Sequence, residues 1–429
     1  MAGRRREATC EDLLYSAERP PDVEVVMLPG GLRGGWRRVA PNVWALGVTS
    51  LLTDVSSEMV TSILPLYVLV HLGLSPFAYG FVDGLQHGIT AVLRIASGVL
   101  SDRSSRHKEV AASGYAVSAL ARLGLALGGG SLAGVASWLA IDRLGKGVRS
   151  APRDALISLS SPRSGLGAAF GVHRSLDAFG AALGPFIAFV VLASVPDGFS
   201  TVFAWSFLIS LAGLAAIVLL VSNTPAGANG EPPSPSPRLL EIAREPRLRR
   251  LLAATAALSL TTIGDPFLYL ALQRRAALVA SDFPLLFVAT SLCYFALAAP
   301  FGRLADRFGR RRVFLLGAAC LLPAYATPLV PGPDALAVGA CVVLLGVFYA
   351  ATDGVLAALA ASLLSGSSRA RGLALVSTTT SLSRLAASLG FGALWTAAGF
   401  EAAVGVFAAG LAGALFASWR FLLPQEASH

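Results

Sequence analysis

The chain reads as an all-α integral membrane protein: twelve transmembrane helices in two six-helix, pseudo-symmetric halves. Three observations predict this. Of the 429 residues, 55% are hydrophobic and only 14% charged, and the mean hydropathy is +0.66; soluble domains carry about a quarter charged residues. Twelve windows reach the ~20 apolar residues that a bilayer crossing needs. One charged motif recurs at equivalent places in the two parts of the chain.

The same composition excludes other classes. The net charge is +9, but the bases are scattered rather than clustered on one face, so no nucleic-acid partner is expected. No HExxH, GxSxG or P-loop string is present, and the chain is not expected to be an enzyme or to carry a cofactor. Cys10, Cys293, Cys320 and Cys341 show no CxxC spacing. The last three sit in apolar helices, where cysteine acts as a small hydrophobe. The expected partners are the lipid bilayer and a small solute, with the chain acting as a monomer.

In chain order, residues 1–41 are a polar tail. Arg4, Arg5 and Arg6 precede no apolar run, unlike a signal peptide, so the tail reads as disordered, with Met27 as a second candidate start. Spans are expected at 42–70, 77–100, 109–128, 132–158, 166–193 and 199–222, then 248–273, 283–302, 313–330, 334–364, 371–398 and 400–421. Residues 42–222 form the first half and 248–421 the second. Between them, 223–247 is a Pro-, Gly- and Ser-rich linker with LLEIARE as a short surface helix. Residues 422–429 close the chain as a second tail. Outside the spans, Lys and Arg gather in the tails and in the loops after even-numbered helices. Only Arg274 and Arg275 fall on the other side. By the positive-inside rule both termini are cytoplasmic.

After the second helix the chain reads GVLSDRSSRHK from Gly98, and after the eighth GRLADRFGRRR from Gly302. Gly98, Asp102 and Arg103 thus correspond to Gly302, Asp306 and Arg307. With this repeated GxLxDR loop the chain resembles the major facilitator superfamily over roughly residues 42–421. Two more strings are similar to family signatures. RLGKG, Arg143 to Gly147, resembles the RxxQG pattern with Lys146 in place of glutamine. GAALGP resembles the GxxxGP pattern of proton-coupled antiporters through Gly180, Gly184 and Pro185. The resemblance implies a secondary transporter of the inner cell membrane that rocks between inward-open and outward-open states. It also implies a central cavity lined by helices 1, 4, 7 and 10, with proton coupling and efflux suggested by GxxxGP. In such a carrier the paired loops would latch one state through charge pairs at helix ends. Simple topological anchoring by the bases is the plainer alternative, and it has no need of Asp102 or Asp306.

A charge at the bilayer centre costs at least ~2.5–3.5 kcal/mol, which makes every intramembrane charge a functional candidate. The first half holds Asp54, Glu58, Asp83, Arg94, Arg122, Asp142, Arg143, Lys146, Arg149, Arg174 and Asp177, with Arg153 and Asp154 nearer the interface. The second holds only Asp265, Asp353 and Arg384 and reads as a more passive counter-surface. Asp54 and Glu58 are one helical turn apart, roughly 18 Å into helix 1 for Asp54 at 1.5 Å per residue. Arg143 reaches a similar depth and is a candidate partner for either acid. Two acids this close do not both ionise easily. Proton coupling, a static ion pair, and direct substrate or cation binding all remain open for them.

Asp142, Lys146, Arg149 and Arg153 follow one helical stripe. It faces either a cavity, where three cations would suit an anionic or carboxylate-bearing solute, or partner charges such as Asp177 opposite Arg149. Asp83 is expected to pair with Arg122. His87 and His173 are candidate proton carriers, or simply hydrogen-bonded histidines. Asp54, Glu58, Met59 and His87 are ligand types that suit a transition metal. A metal-ion transporter of the same fold is therefore one alternative function, although no resident metal site is expected. A non-transporting receptor or scaffold is the other; such a protein would have little reason to keep these charges. Asp265-Pro266 is expected to break helix 7, freeing carbonyls for the cavity or a gating kink. Gly180, Gly184 and Pro185 are expected to allow close packing and a bend in helix 5.

Overall fold

The computed structural model describes residues 39–100, 106–162, 165–223, 239–364 and 369–422. The N-terminal tail up to Arg38, Asp102, Arg103 and most of the linker lie outside these residues. So does the side chain of Arg94.

The first six spans are α1 Pro41–Leu66, α2 Pro76–Leu100, α3 His107–Gly128, α4 Leu132–Leu159, α5 Leu166–Ser194 and α6 Phe199–Leu220. A π-helical turn, Tyr67–His71, extends α1. A short helix, α7 Leu239–Arg244, precedes the rest. The seventh span is split into α8 Pro246–Leu260 and α9 Asp265–Arg275, and the eighth is α10 Phe283–Phe308. The ninth is split into α11 Arg310–Ala319 and α12 Leu321–Ala326. Then come α13 Asp334–Ser362, α14 Arg369–Ala398 and α15 Phe400–Leu422.

By length and composition alone, seven of these helical stretches are apolar enough to cross a membrane. Helices α1, α2, α4 and α14 fall short because they carry acids, arginines, Ser and Thr in their middles. Those four carry most of the intramembrane charge that the sequence singles out, so the weaker apolar signal and the candidate site coincide.

Hydrogen bonds between helix ends define two faces. Asn42, at the start of α1, donates to Ser160 Oγ after α4 and to the Ser222 carbonyl after α6. In the second group, Arg311 at the start of α11 donates to the Leu422 carbonyl at the end of α15. This is the terminal face, where α1 begins and α15 ends. At the opposite, distal face, the Phe77 backbone N–H of α2 donates to Thr396 Oγ1 of α14. The two bases on this face have structural work. The Arg275 guanidinium donates to the carbonyls of Thr327, Val330 and Gly332 and to Asp334, closing the turn into α13. Arg274 lies over the Trp395 ring.

The break in the seventh span occupies residues 261–264, directly before Asp265-Pro266. Proline is well tolerated in the first turn of a helix, where its missing N–H is not needed, and Pro266 sits in the first turn of α9. Residues 261–264 are therefore the non-helical segment. Two of their freed backbone groups are met by one side chain, and Thr262 lines a small cavity. Tyr325 Oη accepts from the Ile263 N–H and donates to the Thr261 carbonyl. The GRLADR string from Gly302 is likewise helical and completes α10; the turn comes at Gly309, whose φ of 94° suits glycine.

The two helix groups meet mainly through α2 against α14 and α5 against α10. Gly80, Gly84 and Gly88 of α2 let its backbone approach Ser388 and Leu385 of α14. Nearer the distal face, Tyr79 packs edge-on against Phe267, which in turn packs on Phe391 and Trp395. All four side chains are buried.

Candidate functional site

The most deeply buried charges form a pair between α3 and α4. Arg122 Nη1 lies 2.8 Å from Asp142 Oδ1, and both side chains are 1% exposed. Arg122 also donates to Ser56 and Ser57 of α1. The sequence expectation of an Asp83–Arg122 pair is therefore corrected. Matching depth was right, but direction around the helix decides the partner. Gly114 and Gly145 bring α3 and α4 into backbone contact, which turns Arg122 toward Asp142 and away from α2.

The stripe along α4 does not act as one surface. Asp142 and Arg149 turn inward to α3, where Arg149 donates to Ser118 Oγ and lies over the Tyr115 ring. Arg153 reaches Ser50 of α1 and its neighbour Asp154. Asp177 does not neutralise Arg149. It pairs with His173, whose Nδ1 is 3.3 Å from Asp177 Oδ2, and lies near Ser50 and Arg153. Arg174 is exposed.

Lys146 and Arg143 remain half-buried on the other side of α4. Arg143 Nη2 donates to Gln86 Oε1 at 2.5 Å, and its Nε is 3.9 Å from Asp142 Oδ2. It does not pair with Asp54 or Glu58. Both acids are half-buried and make no hydrogen bond or ion pair among the described residues. The charge acting most strongly on Lys146 is Asp54, and Lys146 and Arg143 are the strongest influences of opposite sign on Glu58. Two acids of α1 and two cations of α4 thus lie within electrostatic reach of one another.

From the second group, Arg384 of α14 is influenced by Tyr349, Asp353, Asp265 and Asp83. Asp265 accepts from Tyr349 Oη at 2.7 Å. Asp83 accepts from Ser388 Oγ at 2.7 Å across the two helix groups, and His87 Nε2 lies 3.9 Å from it. Asp353 is exposed and, with Arg384, Thr255 and Thr352, lines a small cavity of about 60 Å³ inside the second group. The second group is therefore less passive than its charge count suggests. Ser388, Tyr349 and Tyr325 carry polar contacts there that a search for charges alone does not find.

Gly180 and Gly184 pack against the α1 backbone. A Cβ at Gly180 would meet the Leu51 carbonyl oxygen at 2.7 Å, and one at Gly184 the Val55 carbonyl oxygen at 2.6 Å. Pro185 lies inside α5. Of the two repeated DR segments, Gly98 falls within α2. Asp306 pairs with Arg310 within the same stretch, both exposed, and Arg307 lies over Phe308. Gly302 has no neighbour where its Cβ would be. Exposed pairs such as Asp306–Arg310 contribute about 0–1 kcal/mol. Among the described residues no three His, Cys, Asp or Glu side chains converge as metal ligands, and Met59 is buried in the core. The metal-ligand set Asp54, Glu58, Met59 and His87 is thus not assembled.

A family model described as Major Facilitator Superfamily matches residues 46–278 and 265–429. The chain is 30% identical over 291 residues to an uncharacterised MFS-type transporter of Methanocaldococcus jannaschii, covering 66% of this chain and 70% of that one. An uncharacterised Mycobacterium tuberculosis protein is 33% identical over 196 residues, 44% of this chain and 46% of its own length. Among solved structures, the nucleoside transporter NupG superposes with a TM-score of 0.74 at 14% identity, over 89% of this chain and 99% of that one. A bacterial homolog of the human lysosomal transporter Spinster, inward-facing and unoccupied, gives a TM-score of 0.66 at 16% identity, over 92% and 96%. At these identities the structural likeness is one of fold.

Proposed function

The chain belongs to the major facilitator superfamily and is a multi-pass membrane transporter, and from that premise we propose that it is a proton-coupled secondary carrier. It moves a small solute bearing a carboxylate or other anionic group across the inner membrane by alternating access, in the direction of efflux, as a monomer with both termini cytoplasmic. The observation that carries this reading is the mutual electrostatic reach of Asp54, Glu58, Arg143 and Lys146. Among the described residues, only Arg143 of these four is tied to the surrounding helices, through Gln86 and Asp142. Charges left without tight partners in an apolar bundle cost too much to be retained idly.

The two cations suit an anionic solute. The two acids suit a proton that is held in one state and released in the other. Across the interface, the Asp83–Ser388 bond and the Tyr79–Phe267 contact join the helix groups toward the distal face, which supports a carrier closed on that side. The efflux direction rests on the likeness of Gly180, Gly184 and Pro185 to the antiporter pattern.

Purified protein in proteoliposomes, tested against a panel of labelled carboxylates and other organic anions with and without a pH gradient, tests the proposal. The expected result is transport of at least one anion, accelerated when the gradient is imposed. Transport of neutral or cationic solutes alone, or the same rate at zero gradient, would overturn it.

A further inference from the structure

We infer that a groove between α8 and α15 at the terminal face binds an anionic phospholipid. The groove is a cavity of about 380 Å³ whose wall includes Ala253, Ala257 and Ala417, with Arg249, Arg250 and Phe421 also lining it. Residues 249, 253 and 257 follow i, i+4 spacing, so they share one face of α8. Alanine at the last two leaves a trough under the first. Arg249 and Arg250 are exposed, and neither makes a hydrogen bond or ion pair among the described residues. Three other bases on this face are engaged: Arg310 with Asp306, Arg311 with the Leu422 carbonyl, Arg420 over the Phe416 ring.

The depth of the groove follows from its surroundings. Trp419 at the end of α15 is half-exposed, with exposed Phe416 and Phe421 beside it in the chain, and tryptophan gathers at the headgroup level of a bilayer. Two guanidinium groups at that level, above an apolar trough, match a lipid phosphate above an acyl chain. Guanidinium forks bind phosphate oxygens in pairs, and basic pockets between transmembrane helices select anionic headgroups. A zwitterionic lipid would bring its own ammonium toward the same two cations, so the charge pattern favours phosphatidylglycerol-type lipids over phosphatidylcholine. The occupant would clamp α8, the first piece of the broken seventh span, to the last helix.

Native mass spectrometry of the full chain, released from mixed micelles of phosphatidylglycerol and phosphatidylcholine, tests this. The wild type is expected to retain phosphatidylglycerol several-fold over phosphatidylcholine. The double variant Arg249→Gln/Arg250→Gln should lose that preference, Ala257→Phe should lower retention of both lipids by filling the trough, and Arg303→Gln, exposed elsewhere on α10, should change nothing. Equal retention of the two lipids by the wild type would overturn the proposal and leave a groove for neutral lipid or none. An undiminished preference in the double variant would overturn it as well. The arginine variants alter exposed side chains only, so the test stands even where Ala257→Phe fails to fold.

Discussion

A Cβ at Gly184 would lie 2.8 Å from the Glu58 Cβ and 2.6 Å from the Val55 carbonyl oxygen. Helix α5 thus packs directly against the turn of α1 that carries Glu58. The backbone of α1 has no room to give without moving its acids relative to α4. Gly184→Ala is expected to destabilise the protein by roughly 1–3 kcal/mol, the usual cost of overpacking. Gly171→Ala lies on the same helix where nothing stands within 4 Å, and it should be neutral or slightly stabilising, because alanine favours helix. Thermal unfolding followed by size-exclusion chromatography separates the two. Equal melting temperatures for both variants would show that the α1–α5 contact relaxes freely.

The Arg122–Asp142 pair is the most enclosed ion pair among the described residues, and its partners fix it between α1, α3 and α4. Asp142→Asn leaves the guanidinium without its counter-charge, and breaking a buried pair in this way costs about 3–5 kcal/mol. Low folded yield is expected for that variant. The double replacement Arg122→Met/Asp142→Leu removes both charges and should recover much of the yield. Should the single variant be as stable as the wild type, the pair would not be structural, and its retention would point to transport instead.

The close approach of α2 to α14 offers a way to tilt the equilibrium between states. A Cβ at Gly80 would run into the Ser388 carbonyl oxygen, so Gly80→Ala works against the contact between α2 and α14. A bias of 1–3 kcal/mol would shift the state populations by roughly 5- to 150-fold. Spin-label distances across the distal face should lengthen in this variant and stay unchanged in Gly405→Ala, where the added carbon has open space. Distances that do not move in Gly80→Ala would mean that the α2–α14 contact persists in every state.

The span pattern was legible because hydropathy reports the sum over a helix, and the DR repeat was legible because it is a string. What the sequence cannot carry is direction around a helix axis. Arg122 and Asp83 match in depth, yet the Gly114–Gly145 contact between α3 and α4 turns Arg122 toward Asp142. Arg143 reaches the depth of Asp54 but is held by Gln86. Tyr325, which satisfies the broken backbone at 261–264, looks like any aromatic of an apolar span until its hydroxyl is seen between Ile263 and Thr261. Pro266 signalled a real break, and it stands in the first turn of the helix segment that follows the break.

The group of Asp54, Glu58, Arg143 and Lys146 separates a coupling role from a structural one. Asp54 is the charge acting most strongly on Lys146, whereas Glu58 feels three cations, Lys146, Arg143 and Arg122, and one like-charged neighbour; neither acid forms an ion pair among the described residues. Burial disfavours a carboxylate and a nearby cation favours it, so the acid with the looser pairing is the one whose proton occupancy follows the approach and retreat of α4. On this reading Glu58 is the titrating residue and Asp54 the counter-charge of Lys146. Glu58→Gln, uncharged and nearly isosteric, is expected to keep solute binding and passive exchange while losing acceleration by a pH gradient. Asp54→Asn should instead strand Lys146 and lower the folded yield, and Asp54→Asn/Lys146→Met should restore yield. Binding by scintillation proximity, counterflow at equal pH, and gradient-driven flux in proteoliposomes together resolve these outcomes. Wild-type gradient-driven flux by Glu58→Gln would remove it from coupling. Loss of counterflow as well would make it a binding residue, because a proton carrier is dispensable when no net proton moves.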